Sequence, residues 1–131
     1  ALLQHPGQHF LRVRRELELQ QRQTHRIQKL LLSSRLPREK TLATFDRGRL
    51  TKSVERQFAA LLAGDFLQRT ENVLVFGNPG SGKTHLLCAL GHELIKQGHS
   101  VYFAPCVLLV QRLLGQSRTL VGKRTEAVGS L

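Results

Sequence analysis

A glycine-rich loop at residues 77–84 carries the residue types that bind phosphate groups. It reads GNPGSGKT and matches the pattern G-x-x-x-x-G-K-[ST] in full. Glycines let successive backbone N–H groups turn toward one anion, and a helix that starts at the loop adds its positive dipole end. We expect Lys83 to reach the β and γ phosphates of ATP, and the Thr84 hydroxyl to bind Mg²⁺. The predicted nucleotide-binding residues are Gly77, Asn78, Pro79, Gly80, Ser81, Gly82, Lys83 and Thr84.

The segments that flank this loop have the patterns of a strand and a helix. Residues 72–76 are almost continuously apolar, as buried parallel strands are. Residues 83–97 predict a helix that ends at Gly98, while 100–104 and 106–114 predict a second strand and a further helix. This order is a βαβ unit, so the predicted fold class is α/β. The buried face of the helix after the loop is predicted to hold Leu86, Leu87, Leu90, Leu94 and Ile95.

The half of the chain before the loop is strongly basic. Residues 1–56 carry thirteen Lys/Arg and five Asp/Glu, whereas residues 57–131 carry seven and four, and the whole chain has a formal charge of +11. Such asymmetry predicts a polyanionic partner, most often nucleic acid, and here DNA bound non-specifically through its phosphates. The alternatives are a solvated helix surface and a helix that docks on a partner protein.

Pro37 divides this basic half into two parts. Residues 8–36 are rich in helix-forming Arg, Gln, Glu and Leu, and the residue before a proline disfavours helix. Residues 37–50 are predicted to be an ordered connector, after which Ser53 is predicted to cap a second helix. The apolar side chains at helical spacing in that second helix are Val54, Phe58, Leu61, Leu62 and Phe66.

Membrane, metal and redox functions find little support in the sequence. No run of about 18 apolar residues exists, so no membrane span is predicted, and no signal peptide is visible. Cys88 and Cys106 form no metal or redox motif and are interpreted as small core residues of a cytoplasmic protein. His85 and His92 could share a helix face, but they lack Cys or carboxylate companions at ligand spacing, so no metal site is predicted beyond Mg²⁺ at the loop.

Beyond the loop, longer stretches of the chain resemble the IstB-like ATPases, the helper proteins of insertion-sequence transposition. The residues that carry the resemblance are RLPREKTLATFD at 35–46, FLQRTENVLVFGNPGSGKTHLLCALGHELIKQGHSVYF at 66–103 and LVQRLL at 109–114. The similarity covers residues 11–120 approximately. These ATPases are a branch of the AAA+ proteins and are related to the DnaC helicase loaders.

The resemblance implies a function that the residues alone do not give. It implies an AAA+ nucleotide site for ATP and Mg²⁺, a basic N-terminal region that contacts DNA and transposase, and ATP-dependent self-assembly into homo-oligomers by full-length members. It also implies that the connector around Phe45 lies near the adenine. The residues that the resemblance assigns to phosphate and Mg²⁺ are Gly77, Gly80, Gly82, Lys83 and Thr84.

The second half of the chain departs from the family pattern. The family continues with a hydrophobic strand that ends in paired acidic residues, the Walker B element, but Glu93 lies within a predicted helix and Glu126 follows no apolar strand. We therefore expect a basic helical segment at 1–36 and the first portion of an AAA+ three-layer domain at 37–131, with an irregular tail at 115–131. In this interpretation the chain is truncated before Walker B and lacks a sensor residue and an arginine finger. Such a chain would bind ATP with little or no hydrolysis.

Three other functions stay open at this point. A DnaC-like replicative helicase loader would share the loop and the basic front, and only the partner, helicase or transposase, would distinguish it. A P-loop small-molecule kinase would need an Arg-rich lid after the second strand, whereas the basic charge here lies before the loop. A nucleic-acid-binding remnant with a vestigial loop would fail a nucleotide-binding measurement.

Overall fold

The structure, a computed structural model, describes residues 6–116 of the 131-residue chain. Helices account for most of this part. In chain order they are α1 (Pro6–Ser34), a 3-10 turn (Arg47–Arg49), α2 (Lys52–Leu62), α3 (Asp65–Gln68) and α4 (Lys83–Lys96), followed by a helical segment, α5, at 106–116. The predicted tail at 115–131 lies outside the described residues except for its first two positions, which are helical.

The two predicted strands do not form within residues 6–116, and the α/β class is therefore not confirmed there. Residues 72–76 and 100–104 are assigned to neither strand nor helix. Residues 72–76 make no backbone–backbone hydrogen bond to another described residue, and 100–104 make one, from Phe103 N to Ser34 O at 2.7 Å. An apolar run becomes a strand only when a neighbouring strand pairs with its backbone. Without that partner, Leu74 and Phe76 are 77% and 87% exposed.

Helix α1 is long and mostly exposed, close to the helix predicted at 8–36. Its half-buried residues, Ile27, Leu30 and Leu31, lie in the last two turns and pack near α4, whereas Leu17 is exposed. The helix ends three residues before Pro37, because Arg35 adopts a left-handed conformation with φ 59° at a position that glycine usually occupies. No helix between residues 6 and 116 combines the length and the apolar composition needed to cross a bilayer.

Helix α2 begins two residues earlier than predicted. Thr51, not Ser53, is its N-cap, and the Thr51 hydroxyl accepts a hydrogen bond from Val54 N at 3.4 Å. Phe58 lies in the core as predicted, while Val54 in the first turn is 37% exposed. Gly64, with φ 82°, then separates α2 from the short helix α3.

Helix α4 lies at the centre of the described fold and packs against both α1 and α2. One face contributes to a core cluster of Phe45, Phe58, Leu86, Leu90 and Leu94, and another to a cluster of Leu36, Cys88 and Ile95. Gly91 permits the close approach of the chain after α1, since a Cβ there would lie 3.1 Å from Leu36 Cδ1. The prediction of the buried face is confirmed except at Leu87, which belongs to neither cluster and is 42% exposed.

The two cysteines differ in their environment. Cys88 is fully buried between α4 and the end of α1, as predicted, and this burial raises the pKa of its thiol. Cys106 is exposed at the start of α5, so its interpretation as a core residue is wrong. The start of α5 is exposed as a whole, with Val107 at 68% and Leu108 at 50%, and apolar neighbours in sequence cannot bury a residue by themselves.

Candidate phosphate-binding site

The loop at residues 77–84 leads directly into the first turn of α4. Gly80 and Gly82 have φ angles of 77° and 86°, which residues other than glycine rarely adopt. Ser81 N donates to Asn78 O at 3.2 Å, and Leu86 N donates to Gly82 O at 2.9 Å as the first hydrogen bond of the helix. Gly82 is the N-cap and supplies no side-chain cap, so the N–H groups of the first turn keep their donor capacity.

The Lys83 side chain folds back over the loop. Its Nζ donates to Gly77 O and Asn78 O, each at 2.7 Å, and lies 3.4 Å from Ser81 Oγ. Two of these acceptors are backbone carbonyls and the third is a hydroxyl, so all of them are neutral. The ammonium group is thus held at the centre of the predicted phosphate site without a negative partner.

The acidic residues closest to the loop in sequence, Glu71 and Glu93, are engaged elsewhere. The Glu71 carboxylate accepts two hydrogen bonds from the Arg69 guanidinium, at 2.6 and 3.2 Å, and these lower the pKa of Glu71. Glu93 pairs with Lys96 at 2.8 Å near the other end of α4. No carboxylate between residues 6 and 116 forms an ion pair with Lys83. Glu126, the other acidic residue considered after the loop, lies outside the described residues.

The remaining predicted residues surround this lysine. Gly77 lies close to Ser81, because a Cβ at Gly77 would be 3.0 Å from Ser81 Oγ. Asn78, Pro79, Gly80 and Thr84 are exposed, and Thr84 is in the first turn of α4, directly after the lysine. The structure therefore brings the eight predicted residues into one exposed loop and helix start, a surface that a phosphate chain can reach.

Sequence reasoning missed the role of His85. Its Nε2 lies 3.1 Å from Thr41 O and 3.1 Å from Thr44 Oγ1, so it ties the connector to the first turn of α4. His92 Nε2 is 2.9 Å from Pro37 O and ties the connector to α4 a second time. The predicted sharing of one helix face by His85 and His92 is the sequence signal for a common neighbour. That neighbour is the backbone of the connector, and no metal-binding group is found among the described residues.

Phe45 packs at the base of the loop. Its ring meets the His85 ring edge to face, with centroids 5.2 Å apart, and its Cε2 lies 3.4 Å from where a Cβ on Gly82 would be. Phe45 is 9% exposed and belongs to the core around Phe58 and Leu86. The observed contacts give Phe45 a packing role under the loop, and its predicted proximity to an adenine stays a prediction.

A glycine loop that closes on a lysine at the start of a helix is characteristic of the P-loop class of nucleotide-binding proteins. Comparison of the sequence with protein families identifies the group within that class. Residues 7–128 match the family described as IstB-like ATP binding protein. The chain belongs to this family, as the resemblance predicted. Membership supports a P-loop NTPase fold of the AAA+ type, although residues 6–116 contain no sheet.

Individual relatives agree with this assignment. The chain is 41% identical over 98 residues to the insertion sequence IS5376 ATP-binding protein of Geobacillus stearothermophilus. The aligned segment covers 75% of this chain and 39% of the relative. It is 39% identical over 116 residues to an insertion sequence ATP-binding protein of Sinorhizobium fredii, and here the aligned segment covers 88% of this chain and 39% of that relative. The chain thus spans about two-fifths of the length of these curated relatives.

Proposed function

We propose that residues 77–84 bind ATP with Mg²⁺, and that the protein is an ATP-binding helper of insertion-sequence transposition. In this proposal the loop N–H groups and Lys83 hold the phosphates, while Thr84 offers its hydroxyl to Mg²⁺. The names of the relatives, which are insertion sequence ATP-binding proteins, support transposition over helicase loading. When bound, the nucleotide would supply a triphosphate whose oxygens complete the Mg²⁺ shell.

The residues present fit such a ligand. A Cβ built on Gly80 meets no atom within 4 Å, so this part of the loop is open to a phosphate oxygen. The N-terminus of α4 has no side-chain cap that would compete for its N–H groups. Thr84 is exposed and provides a hydroxyl, a hard oxygen ligand of the kind Mg²⁺ prefers alongside phosphate and water.

The position of the Lys83 ammonium is the observation that carries this proposal. It is held by Gly77 O and Asn78 O at 2.7 Å and faces no carboxylate of the described residues. A triphosphate can take over these hydrogen bonds and gain a charge-assisted contact that the neutral acceptors do not provide.

A calorimetric titration with ATP and Mg²⁺ tests the site. Lys83→Ala removes one charge-assisted contact worth ~1.5–3 kcal/mol, so affinity should fall by about 10- to 150-fold. Lys96→Ala is the matched control, because Lys96 lies at the opposite end of the same helix and pairs with Glu93. If Lys83→Ala binds ATP as tightly as the parent chain, the assignment of the loop is wrong.

We also propose that DNA and a transposase are the macromolecular partners. Helix α1 supports the first part, since it carries six Lys/Arg and two Glu, and only Arg14 is ion-paired among its described basic residues, to Glu18 at 3.6 Å. Co-purification of the chain with the transposase of the same insertion sequence, and in parallel with a replicative helicase, distinguishes the two partner proteins. Dependence on ATP, and its loss in Lys83→Ala, would link the partner to the loop. Self-assembly of full-length family members stays part of the same proposal.

A further inference from the structure

An open cavity of about 710 Å³, which we call the Arg35 groove, lies between the end of α1, the connector and α4. Its apolar wall is formed by Leu31, Leu32 and Leu36, and its basic rim by Arg35, Arg38 and Lys96. None of the described residues that line it is acidic. The groove thus combines an apolar surface with an excess of positive charge, and it is separate from the predicted phosphate-binding loop at residues 77–84.

The two arginines of the rim are available to a ligand. Neither Arg35 nor Arg38 forms an ion pair within residues 6–116, whereas Lys96 is shared with Glu93. The Arg35 guanidinium carbon lies 5.7 Å from the centre of the Tyr102 ring, and this contact orients the group without neutralising it. A guanidinium stays charged at any physiological pH and matches a carboxylate through two parallel hydrogen bonds.

The walls of the groove are fixed by specific contacts. Arg35 is held at φ 59° as the left-handed residue that ends α1. The Ser34 hydroxyl secures this turn by donating to Leu31 O at 2.7 Å and accepting from Leu36 N at 3.2 Å. His92 secures the opposite side through Pro37 O. A preformed groove binds with less loss of conformational entropy than one that must assemble.

We propose that the Arg35 groove binds an acidic, leucine-containing peptide segment of a partner protein. Carboxylates would pair with Arg35 and Arg38, and an apolar side chain would pack against Leu32, which is 69% exposed. A second copy of this chain is disfavoured as the occupant by its net charge of +11. Duplex DNA could meet the arginines, but its backbone presents no side chain that could cover the leucines. The proposal does not depend on nucleotide binding at the loop.

Fluorescence anisotropy with a labelled synthetic helical peptide tests this inference on the whole chain. The probe carries Leu at helical spacing flanked by Glu, and its comparison peptide carries Gln in place of every Glu. The Glu peptide should bind, and the Gln peptide should bind about tenfold more weakly, because it cannot form charged pairs with the arginines. Nucleotide is left out, so that failure here is distinguishable from failure at the loop.

Matched variants locate the binding surface. The double change Arg35→Glu and Arg38→Glu should weaken the Glu peptide by at least about tenfold, whereas Lys52→Glu and Arg56→Glu, the same change of charge on exposed residues of α2, should not. Leu32→Gln should also weaken it, and Leu19→Gln, at a comparably exposed position of α1, should not. Circular dichroism confirms that each variant is folded.

Several outcomes overturn the proposal. It fails if the Glu peptide does not bind, if the Gln peptide binds equally well, or if the groove and control variants behave alike. It also fails if the arginine pair is needed for binding duplex DNA but not for binding the peptide, because the groove would then be a nucleic-acid surface.

Discussion

His85→Ala should release the connector from the P-loop helix. The His85 ring contacts Thr41 O and Thr44 Oγ1 through one nitrogen and packs edge to face on Phe45. These contacts join His85, directly after Thr84, to residues that lie 40 to 44 positions earlier in the sequence. Alanine removes all of them and adds nothing that could replace them.

The size of the effect follows from the geometry. One ring nitrogen makes a single strong hydrogen bond at a time, so the two 3.1 Å contacts count as one bond of ~0.5–1.5 kcal/mol. The edge-to-face pair with Phe45 adds ~0.5–1.5 kcal/mol. Together the loss is about 1–3 kcal/mol, which corresponds to about a 5- to 150-fold increase in local opening of the connector.

Hydrogen–deuterium exchange measures this opening directly. The reporting amides are those of Lys40, Phe45 and Leu50, which donate to Pro37 O, Leu42 O and Arg47 O. Their exchange should accelerate in His85→Ala, while exchange in α2 changes less. His9→Ala, an exposed histidine on α1, is the control. Connector exchange within about twofold of the parent chain would refute the reasoning, because an opening of this size must appear as faster exchange.

Further predictions address the loop, the core and the basic helix. Gly82→Ala and Gly98→Ala, at φ 86° and 93°, should each destabilise the fold by about 1–2 kcal/mol in thermal unfolding. Only Gly82→Ala should weaken ATP binding by calorimetry, and equal affinities would contradict the loop assignment. Iodoacetamide should modify the exposed Cys106 in the native chain, and the fully buried Cys88 only after unfolding. Mass spectrometry counts the labels on each chain, and two labels on the native chain would contradict the described core. The affinity for duplex DNA should fall as salt rises, with a slope of log affinity against log salt of about −0.9 per phosphate contacted. The double variant Arg15→Gln and Arg22→Gln should reduce the size of that slope by about two. A slope near zero for the parent chain would exclude DNA as the partner of α1.

The helices could be predicted because their signals are local. Gly98 stops α4 within a residue or two of the predicted end, and the helix-forming residues before Pro37 set the extent of α1. The choice between Thr51 and Ser53 as the cap of α2 could not be made locally, since both hydroxyls are suitable. In the structure Thr51 takes this position, and its hydroxyl accepts the hydrogen bond from Val54 N.

The remaining features depend on contacts between distant residues. Whether residues 72–76 form a strand is decided by a partner strand, and the sequence of the segment itself contains no information about that partner. The eight loop residues could be predicted because their spacing follows directly from phosphate chemistry. The contact of His85 with Thr41 could not, since nothing in either segment specifies the other.

Helix α4 supports both proposed sites, and the connector contacts both. The helix is about 20 Å long, with Lys83 of the loop at its start and Lys96 of the Arg35 groove at its end. Thr41 lines the groove, and its carbonyl oxygen also lies 3.1 Å from Nε2 of His85, the residue after Thr84. A ligand that displaces the connector at the groove therefore changes the environment of the first turn of α4. Any resulting effect on nucleotide affinity must be matched by an equal effect of nucleotide on the groove, because the two binding free energies are linked.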